Sequence, residues 1–186
     1  DRLLAAASIC GIGAVLCVNK WDLAGTDDAT LLEPYAATGV PALRTSAQTG
    51  EGIDALADQL DGRRSVVVGH SGVGKSSLLQ RLVPGLELRV REVNRVTGRG
   101  RHTTTTATLV RLPGGGTLID TPGIRAYGLY GVAAGQLHRH FPEFAPLSPR
   151  CEFEDCEHDT EPDCAVKGAL EAGDLHPERY RGYLRI

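Results

Sequence analysis

Short apolar runs alternate with amphipathic stretches through the first half of the chain. The pattern predicts helices near 2–10, 28–38, 52–60 and 75–82, with strands at 13–18, 41–45 and 64–69. The last of these strands carries consecutive valines and ends at a glycine, which is typical of a parallel strand buried on both faces. Because short strands alternate with helices, the pattern predicts βαβ units in an α/β fold with a doubly wound, mostly parallel sheet.

The pattern changes twice in the second half. Residues 85–103 are polar, rich in arginine and without clear periodicity, which indicates a mobile loop. A β-hairpin is predicted next, formed by TATLVRL and GTLID around PGGG, and then a helix near 131–140. From Pro142 the chain becomes rich in proline, acidic residues and cysteine, so the sequence predicts two domains, 1–140 and 141–186.

Composition adds little about partners but something about the compartment. The net charge of −3 over 186 residues does not indicate a polyanionic partner. The apolar run at 3–18 is too short to span a bilayer, so a cytoplasmic protein without membrane contact is expected. The chain starts at Asp1 and contains no methionine, which predicts that it is a fragment. The lysines are Lys20, Lys75 and Lys167, and the first two lie inside the motifs described next.

The segment GHSGVGKS at 69–76 matches the phosphate-loop pattern G-x-x-x-x-G-K-[ST] at every required position. It follows a predicted strand and begins a predicted helix, so backbone N–H groups and the helix N-terminus favour bound phosphate. Lys75 is expected to reach the β- and γ-phosphates, and the Ser76 hydroxyl to bind Mg²⁺. The predicted contacts are Gly69, His70, Ser71, Gly72, Val73, Gly74, Lys75, Ser76 and Ser77. The alternative is a glycine-rich turn with an incidental lysine.

The tetrapeptide NKWD at 19–22 follows another predicted strand and suits a guanine base. The Asp22 carboxylate can accept hydrogen bonds from the N1–H and the N2 amino group of guanine, a donor pair that adenine lacks. Asn19 is expected to brace the neighbouring loops, and the aliphatic stem of Lys20 to cover the face of the base. The alternative is a polar turn at the end of a strand.

Three further segments complete the predicted nucleotide site. Ser46 and Ala47 suit a short loop whose backbone N–H approaches the guanine O6, although a generic helix-entry loop has the same pattern. In LIDTPG, Asp120 is expected to hold Mg²⁺ through water, and the Gly123 N–H to meet the γ-phosphate. One of the threonines at 103–105, with Thr104 the chosen candidate, is expected to bind the same ion when GTP is present.

The base motif precedes the phosphate loop, the reverse of the order in an ordinary G protein. All four motifs nevertheless follow predicted strands, and ligands of open α/β sheets bind beyond the carboxyl ends of the strands. Cutting a surface loop and joining nearby termini changes connectivity and preserves such a site. The sequence therefore predicts a circularly permuted P-loop fold.

A separate cluster of potential metal ligands lies near the C-terminus. Cys151, Cys156, His158 and Cys164 provide three thiolates and an imidazole within 14 residues, which is a ligand set for tetrahedral structural zinc. The surrounding sequence is too polar to form an apolar core, so a metal would supply folding energy. The alternative is reduced surface cysteines beside an unrelated histidine. Cys10 and Cys17 are expected to be small core residues.

The order NKWD, TSA, GHSGVGKS, GRGRHTTT and DTPG, followed by the Cys/His cluster, resembles the RsgA (YjeQ/YloQ) family over essentially the whole chain. Those proteins are circularly permuted bacterial GTPases that depend on the small ribosomal subunit. The resemblance implies GTP or GDP with Mg²⁺, one structural zinc in a helical C-terminal module, rRNA contact and a role in late subunit maturation. The family also carries an N-terminal OB-fold domain, which this sequence lacks.

The residue that orients the attacking water is not obvious. Ras-like proteins have glutamine at the position where this chain has Ile124, so slow intrinsic hydrolysis is expected. The resemblance maps the family's histidine before the switch threonines onto His102, which makes His102, Lys75 and Thr104 the catalytic candidates. Alternatively, His102 contacts phosphate or RNA.

Two arginine-rich segments suit RNA phosphates or, alternatively, serve solubility. They comprise Arg89, Arg91, Arg95, Arg99 and Arg101 in the predicted loop, and Arg179, Arg181 and Arg185 near the C-terminus. The preferred function is a GTPase stimulated by the small ribosomal subunit, acting as a monomer. A nucleotide-switched RNA-binding module with negligible hydrolysis and a P-loop ATPase are the alternatives.

Overall fold

A computed structural model describes residues 1–86, 108–120, 129 and 132–186. The described helices are α1 (Arg2–Ile9), α2 (Ile53–Leu60), α3 (Lys75–Leu82), α4 (Ala165–Ala172) and α5 (Pro177–Leu184). The described strands are β1 (Leu16–Val18), β2 (Ala42–Arg44), β3 (Arg64–Val67), β4 (Thr108–Arg111) and β5 (Thr117–Asp120). None of the described helices combines the length and apolar character needed to cross a bilayer.

Several predicted features lie outside the described residues. They are the loop at 85–103 from residue 87 onward, with its arginines, and the candidates His102, Thr104, Gly123 and Ile124.

The strands that lead into the phosphate loop and the LIDTPG motif are direct neighbours. β3, β5 and β4 form a three-stranded sheet in that order, in which β3 and β5 are parallel and β4 is antiparallel to β5. Val67, the last residue of β3, pairs with Asp120, the last residue of β5. Parallel strands end at the same edge of a sheet. The phosphate loop, which follows β3, therefore begins next to Asp120 at the end of β5.

The two strands before the base-binding motifs pair with each other. The Leu16 N–H donates to the Pro41 carbonyl at 2.8 Å, and the Thr45 N–H donates to the Val18 carbonyl at 2.9 Å. β1 and β2 therefore end together, just before Asn19 and Ser46. Among the described residues they form a two-stranded sheet of their own rather than part of one continuous sheet.

The predicted hairpin is confirmed. β4 and β5 are joined by a turn in which the Leu112 N–H donates to the Gly116 carbonyl at 2.8 Å and the Gly115 N–H to the Leu112 carbonyl at 3.0 Å. Gly115 has φ +93°, a conformation that glycine adopts without the penalty a Cβ would bring. The turn fixes the register between β4 and β5, and with it the position of Asp120 at the end of β5.

Two predicted α-helices are wrong in type. The segment at 28–38 forms two 3₁₀ turns, Thr26–Thr30 and Glu33–Thr38, because Pro34 has no N–H to continue a helix begun earlier. The segment near 131–140 also contains a 3₁₀ turn, Ala134–His140, in which the Phe141 N–H bonds to the His138 carbonyl at 3.1 Å. The predicted helices at 2–10, 52–60 and 75–82 are confirmed.

The chain groups into two compact units. One comprises Cys17–Ala24 and Leu43–Ala126, and its core consists of leucines from α2, α3 and the sheet: Leu56, Leu60, Leu78, Leu79, Leu82, Leu112 and Leu118. Leu56 and Leu60 are one helical turn apart, as are Leu78 and Leu82, so each helix turns one apolar stripe inward.

The other unit comprises Asp1–Leu16, Gly25–Ala42 and Tyr127–Ile186. Its core is aromatic and sulfur-rich, with Phe141, Phe144, Tyr183, Cys156 and Cys164 all buried. The domain division predicted from the sequence, 1–140 and 141–186, stays a prediction.

Arg179 on α5 is a structural residue. It is only 3% exposed, its Nε lies 2.5 Å from Glu143 Oε1, and it also pairs with Asp1. Its guanidinium lies 4.7 Å from the centre of the Phe141 ring. The expectation that Arg179 contacts RNA is therefore wrong, because this guanidinium is already enclosed by carboxylates and aromatic rings.

Replacing Arg179 with alanine should lower the free energy of unfolding by about 3 kcal/mol or more, because Glu143 is left buried without its counter-charge. Arg181→Ala is the matched control on the same helix. Its ion pair with Glu178 is about half exposed, so its loss should cost less than about 1 kcal/mol. Urea unfolding of both variants measures the difference. Equal effects of the two substitutions would contradict the role given to Arg179.

Candidate nucleotide-binding site and metal centre

The Asp22 carboxylate is oriented by a buried serine. Asp22 lies in a 3₁₀ turn, Trp21–Leu23, that begins after Lys20 takes the left-handed conformation with φ +67°. The Ser46 hydroxyl, which is fully buried, donates to Asp22 Oδ1 and accepts a hydrogen bond from the Thr49 N–H at 3.1 Å. Asp22 itself is exposed. The two segments are thus joined by hydrogen bonds that fix the direction of the Asp22 carboxylate.

Asn19 connects three loops through one side-chain amide. Its Nδ2 donates to the Val73 carbonyl of the phosphate loop at 2.9 Å, across 54 positions of sequence. Its Oδ1 accepts hydrogen bonds from the Ala47 N–H at 3.3 Å and from the Thr45 hydroxyl at 3.5 Å. The base motif, the TSA loop and the phosphate loop therefore meet at this residue despite their reversed order in the chain.

Gly74 makes the approach of Asn19 possible. It has φ +93°, and a Cβ at this position would lie 2.3 Å from Asn19 Nδ2. Any larger residue would both strain the backbone and displace the amide. The glycine required by the phosphate-loop pattern is thus also required by the base-binding loop.

Lys75 lies against the beginning of the phosphate loop. Its Nζ donates to the carbonyls of Gly69 at 2.7 Å and His70 at 2.8 Å. α3 begins at Lys75, so Ser76 and Ser77 lie in its first turn. The remaining loop residues His70, Ser71, Gly72 and Val73 are exposed, whereas Gly69, Gly74, Lys75 and Ser76 are half-buried. The loop therefore presents its backbone to solvent next to a fixed ammonium group.

Two candidate oxygen ligands for Mg²⁺ lie at the start of α3 and at the end of β5. Ser76 supplies a hydroxyl at the start of α3, and Asp120 supplies a half-buried carboxylate at the end of β5. Hydroxyl and carboxylate oxygens fit the preference of Mg²⁺ for hard ligands. The proposed third ligand, Thr104, lies outside the described residues.

Trp21 lies in the same turn as Asp22, and its ring contacts a cation. The guanidinium carbon of Arg44 is 4.6 Å from the centre of the indole ring, which is the geometry of a cation–π contact. This is the single tryptophan of the chain.

The four predicted zinc ligands converge. The ligand atoms of Cys151, Cys156, His158 and Cys164 all lie within 4.8 Å of one another. His158 Nδ1 is 3.6 Å from Cys151 Sγ and 3.4 Å from Cys164 Sγ, and the two sulfurs are 3.9 Å apart. A tetrahedral zinc ion separates a sulfur and a nitrogen ligand by roughly 3.6 Å and two sulfurs by roughly 3.8 Å. The residues present therefore fit zinc.

Polar groups around His158 fix its orientation. Its Nε2 lies 3.2 Å from the Ser148 hydroxyl, which itself donates to the Phe144 carbonyl at 3.0 Å, so Nε2 carries the proton and Nδ1 faces the thiols. The Tyr180 hydroxyl donates to the His158 carbonyl at 2.7 Å. Such partners fix the tautomer and the ring orientation of an imidazole before it binds a metal.

Three of the four residues are buried, so the alternative of reduced cysteines at the surface is excluded. Cys156, His158 and Cys164 are 3%, 1% and 6% exposed, and burial raises the pKa of the Cys156 thiol to about 12. A buried thiol such as that of Cys156 stays protonated without a cation, and a metal ion reverses that preference. Of the other cysteines, Cys17 packs against the leucine core, whereas Cys10 follows the end of α1 and is exposed, contrary to expectation.

Several residues of these sites carry no signal in the sequence. Ser148 lies ten positions from His158 and outside the ligand spacing. Arg81 on α3 donates to the carbonyls of Ala47 and Gln48, a long-range contact that no motif indicates. These contacts depend on tertiary structure.

Comparison with known proteins places the chain among permuted GTPases. The sequence model of the RsgA GTPase family matches residues 1–130. The small ribosomal subunit biogenesis GTPase RsgA of Gemmatimonas aurantiaca is 48% identical over all of this chain and 61% of its own length. The protein of the same name from Pseudomonas aeruginosa is 47% identical, and the chain covers 56% of it. The chain thus spans little more than half the length of the curated relatives it matches.

Two solved structures agree in fold. YjeQ from Thermotoga maritima is 38% identical with a TM-score of 0.82, and the alignment covers 99% of this chain and 62% of that one. YloQ, described as a circularly permuted GTPase, is 26% identical with a TM-score of 0.75, covering 99% of this chain and 59% of the other. The predicted circularly permuted α/β fold is confirmed.

The purified chain should bind one zinc ion, and removal of zinc by a chelator should lower its melting temperature, because the metal organises the ligand loop. Ser148→Ala should weaken zinc binding about 10- to 100-fold by releasing the His158 ring. Ser8→Ala, which removes a hydroxyl from an exposed contact with His140, is the control. Competition with a coloured chelator gives the affinities. Wild-type affinity in Ser148→Ala would contradict the role of Ser148.

Proposed function

Because the chain belongs to the RsgA GTPase family, we propose that it binds and hydrolyses GTP in the maturation of the small ribosomal subunit. The observation that carries the proposal is the bond from Asn19 to the Val73 carbonyl, beside an Asp22 carboxylate held by Ser46. It brings base-selective and phosphate-binding groups together. The family supplies the reaction class, and the relatives' names supply the process.

The base is selected by hydrogen bonds that only guanine satisfies. Asp22 accepts from the N1–H and the N2 amino group, and the Ala47 N–H turns toward O6. The 3.3 Å bond from that N–H to Asn19 Oδ1 is long, so a carbonyl oxygen can share the donor. The aliphatic stem of Lys20 lies near Gly74, because its Cε is 4.0 Å from the position that a Cβ of residue 74 would take. From there it covers the face of the base. ATP would leave Asp22 without donors, which disfavours the ATPase alternative.

The phosphates are bound by the 69–77 loop and the start of α3. Backbone N–H groups surround the phosphate oxygens, and the Lys75 ammonium exchanges its carbonyl partners at Gly69 and His70 for β- and γ-phosphate oxygens. Mg²⁺, when bound, neutralises charge between these phosphates, with Ser76, Asp120 and Thr104 as its protein ligands or water contacts. Gly123 donates its N–H to the γ-phosphate.

Hydrolysis is slow until a partner orders the catalytic side chain. Ile124 cannot orient water, and we assign that task to His102. The partner is the small ribosomal subunit and its rRNA, with arginines of the 89–101 segment meeting phosphates. The protein is proposed to act as a cytoplasmic monomer. The four candidate ligands would fill every position of a tetrahedral zinc ion, which would leave none open for catalysis.

Phosphate release from GTP, measured over many turnovers, should be slow for the chain alone and rise when small ribosomal subunits are added. His102→Ala should abolish most of the stimulation, by the 10²- to 10⁴-fold that a positioned acid–base group typically contributes, while leaving GTP affinity unchanged. The control His140→Ala instead removes a histidine outside the nucleotide site, whose contact with Ser8 is exposed. Stimulation at the wild-type level in His102→Ala would overturn its role. Tight nucleotide binding with no stimulated turnover would favour the RNA-binding switch instead.

Asp22→Asn should reverse the base preference. Losing two charge-assisted hydrogen bonds should weaken GTP about 10²- to 10⁴-fold. The new amide can donate to the C2 oxygen of xanthine, so XTP should bind better than GTP. Asp28→Asn, in the following 3₁₀ turn, is the matched control and should keep the preference for GTP. Competition titrations with GTP, XTP and ATP test this, and an Asp22→Asn chain that still prefers GTP would refute guanine recognition by Asp22.

A further inference from the structure

Arg81 ties the phosphate-loop helix to the base-reading loop. It lies in the last turn of α3, and its Nε donates to the Ala47 carbonyl at 2.6 Å while an Nη donates to the Gln48 carbonyl at 2.7 Å. The planar guanidinium thus donates to two successive carbonyls. The flexible ammonium group of a lysine cannot reproduce this two-point contact.

The contact acts on the peptide group next to the one that meets the base. The Ala47 carbonyl belongs to the peptide group that follows the Ala47 N–H, and because peptide groups are planar only the φ and ψ torsions of Ala47 separate the two. Fixing the carbonyl therefore limits the directions open to that N–H. The rest of the loop is anchored nearer its ends. The Ser46 N–H donates to the Glu51 carbonyl at 2.9 Å, and the Gly50 N–H to the Ser46 carbonyl at 2.8 Å. Arg81 adds a restraint at the tip.

The same helix carries both groups of contacts. Lys75 and Ser76 begin α3, and Arg81 lies about 9 Å further along a single rigid segment at 1.5 Å per residue. A rigid helix and two hydrogen bonds therefore connect the phosphate-loop end of α3 with the tip of the loop that carries Ala47. Arg81 is exposed, so the contact contributes little to the free energy of unfolding.

We propose that Arg81 is a positioning residue that aligns the Ala47 N–H with the O6 atom of the nucleotide base, and so raises selectivity for a 6-oxopurine. The proposal rests on the guanine-nucleotide binding proposed above. It assigns to α3 a second task besides holding the phosphates, and it makes base selectivity depend on a residue outside the base motif.

The test uses three nucleotides that differ in single groups. GTP and ITP both carry O6, and ITP lacks the N2 amino group that Asp22 recognises. 6-Thioguanosine triphosphate replaces O6 by sulfur, a weaker acceptor, and keeps the N2 group. Affinities are measured by competition against a fluorescent GDP for wild type, Arg81→Ala, Arg81→Lys and the control Gln80→Ala, an exposed neighbour on the same helix.

Arg81→Ala should reduce the preference for GTP over the 6-thio nucleotide about 3- to 10-fold, the range expected for one hydrogen bond. The preference for GTP over ITP should not change, and the melting temperature should stay close to that of Gln80→Ala. Arg81→Lys should give an intermediate value. Equal weakening of all three nucleotides, or no weakening, would overturn the positioning role. A wild-type chain that binds ATP as tightly as GTP would overturn guanine recognition itself, and this inference with it.

Discussion

The side-chain amide of Asn19 is the contact on which the nucleotide site depends. One amide group offers a donor on one side and an acceptor on the other, and here the donor reaches the phosphate loop while the acceptor serves the TSA loop. Because these contacts join segments by hydrogen bonds rather than by sequence proximity, the order of the segments along the chain has no effect on the geometry. Gly74 completes the arrangement by leaving room for the amide.

The unit that holds the metal ligands is stabilised in a different way. Its ligand loop is acidic, yet Cys156 and Cys164 lie within an aromatic core of Phe141, Phe144 and Tyr183. The His158 ring meets the Phe144 ring edge-on, with centroids 5.9 Å apart. A metal bound here would join the polar loop to the apolar core, which neither composition nor hydrophobic burial would achieve alone. The ion pairs of Arg179 with Asp1 and Glu143 also stabilise this unit.

Local patterns in the sequence predict much of this architecture. The valine-rich run, the glycines of the phosphate loop and the amphipathic leucines gave the correct elements for β3, α2 and α3, because each depends on neighbours within a few residues. The spacing of three cysteines and a histidine predicted a cluster that the fold brings together. The predicted helix at 28–38 did not take into account Pro34, which lies at the start of a separate 3₁₀ turn.

Contacts between distant segments could not be predicted. Nothing in the sequence separates Arg179, which is buried between two carboxylates, from Arg181, which lies two positions away and is exposed. Ser148 and Arg81 likewise act through atoms that approach only after folding. The indole of Trp21 lies in the turn that carries Asp22, beneath the Arg44 cation, and it is the single such ring in the chain. The protein therefore contains an intrinsic fluorophore in the turn proposed to recognise the base, and its emission can report nucleotide occupancy without any attached dye.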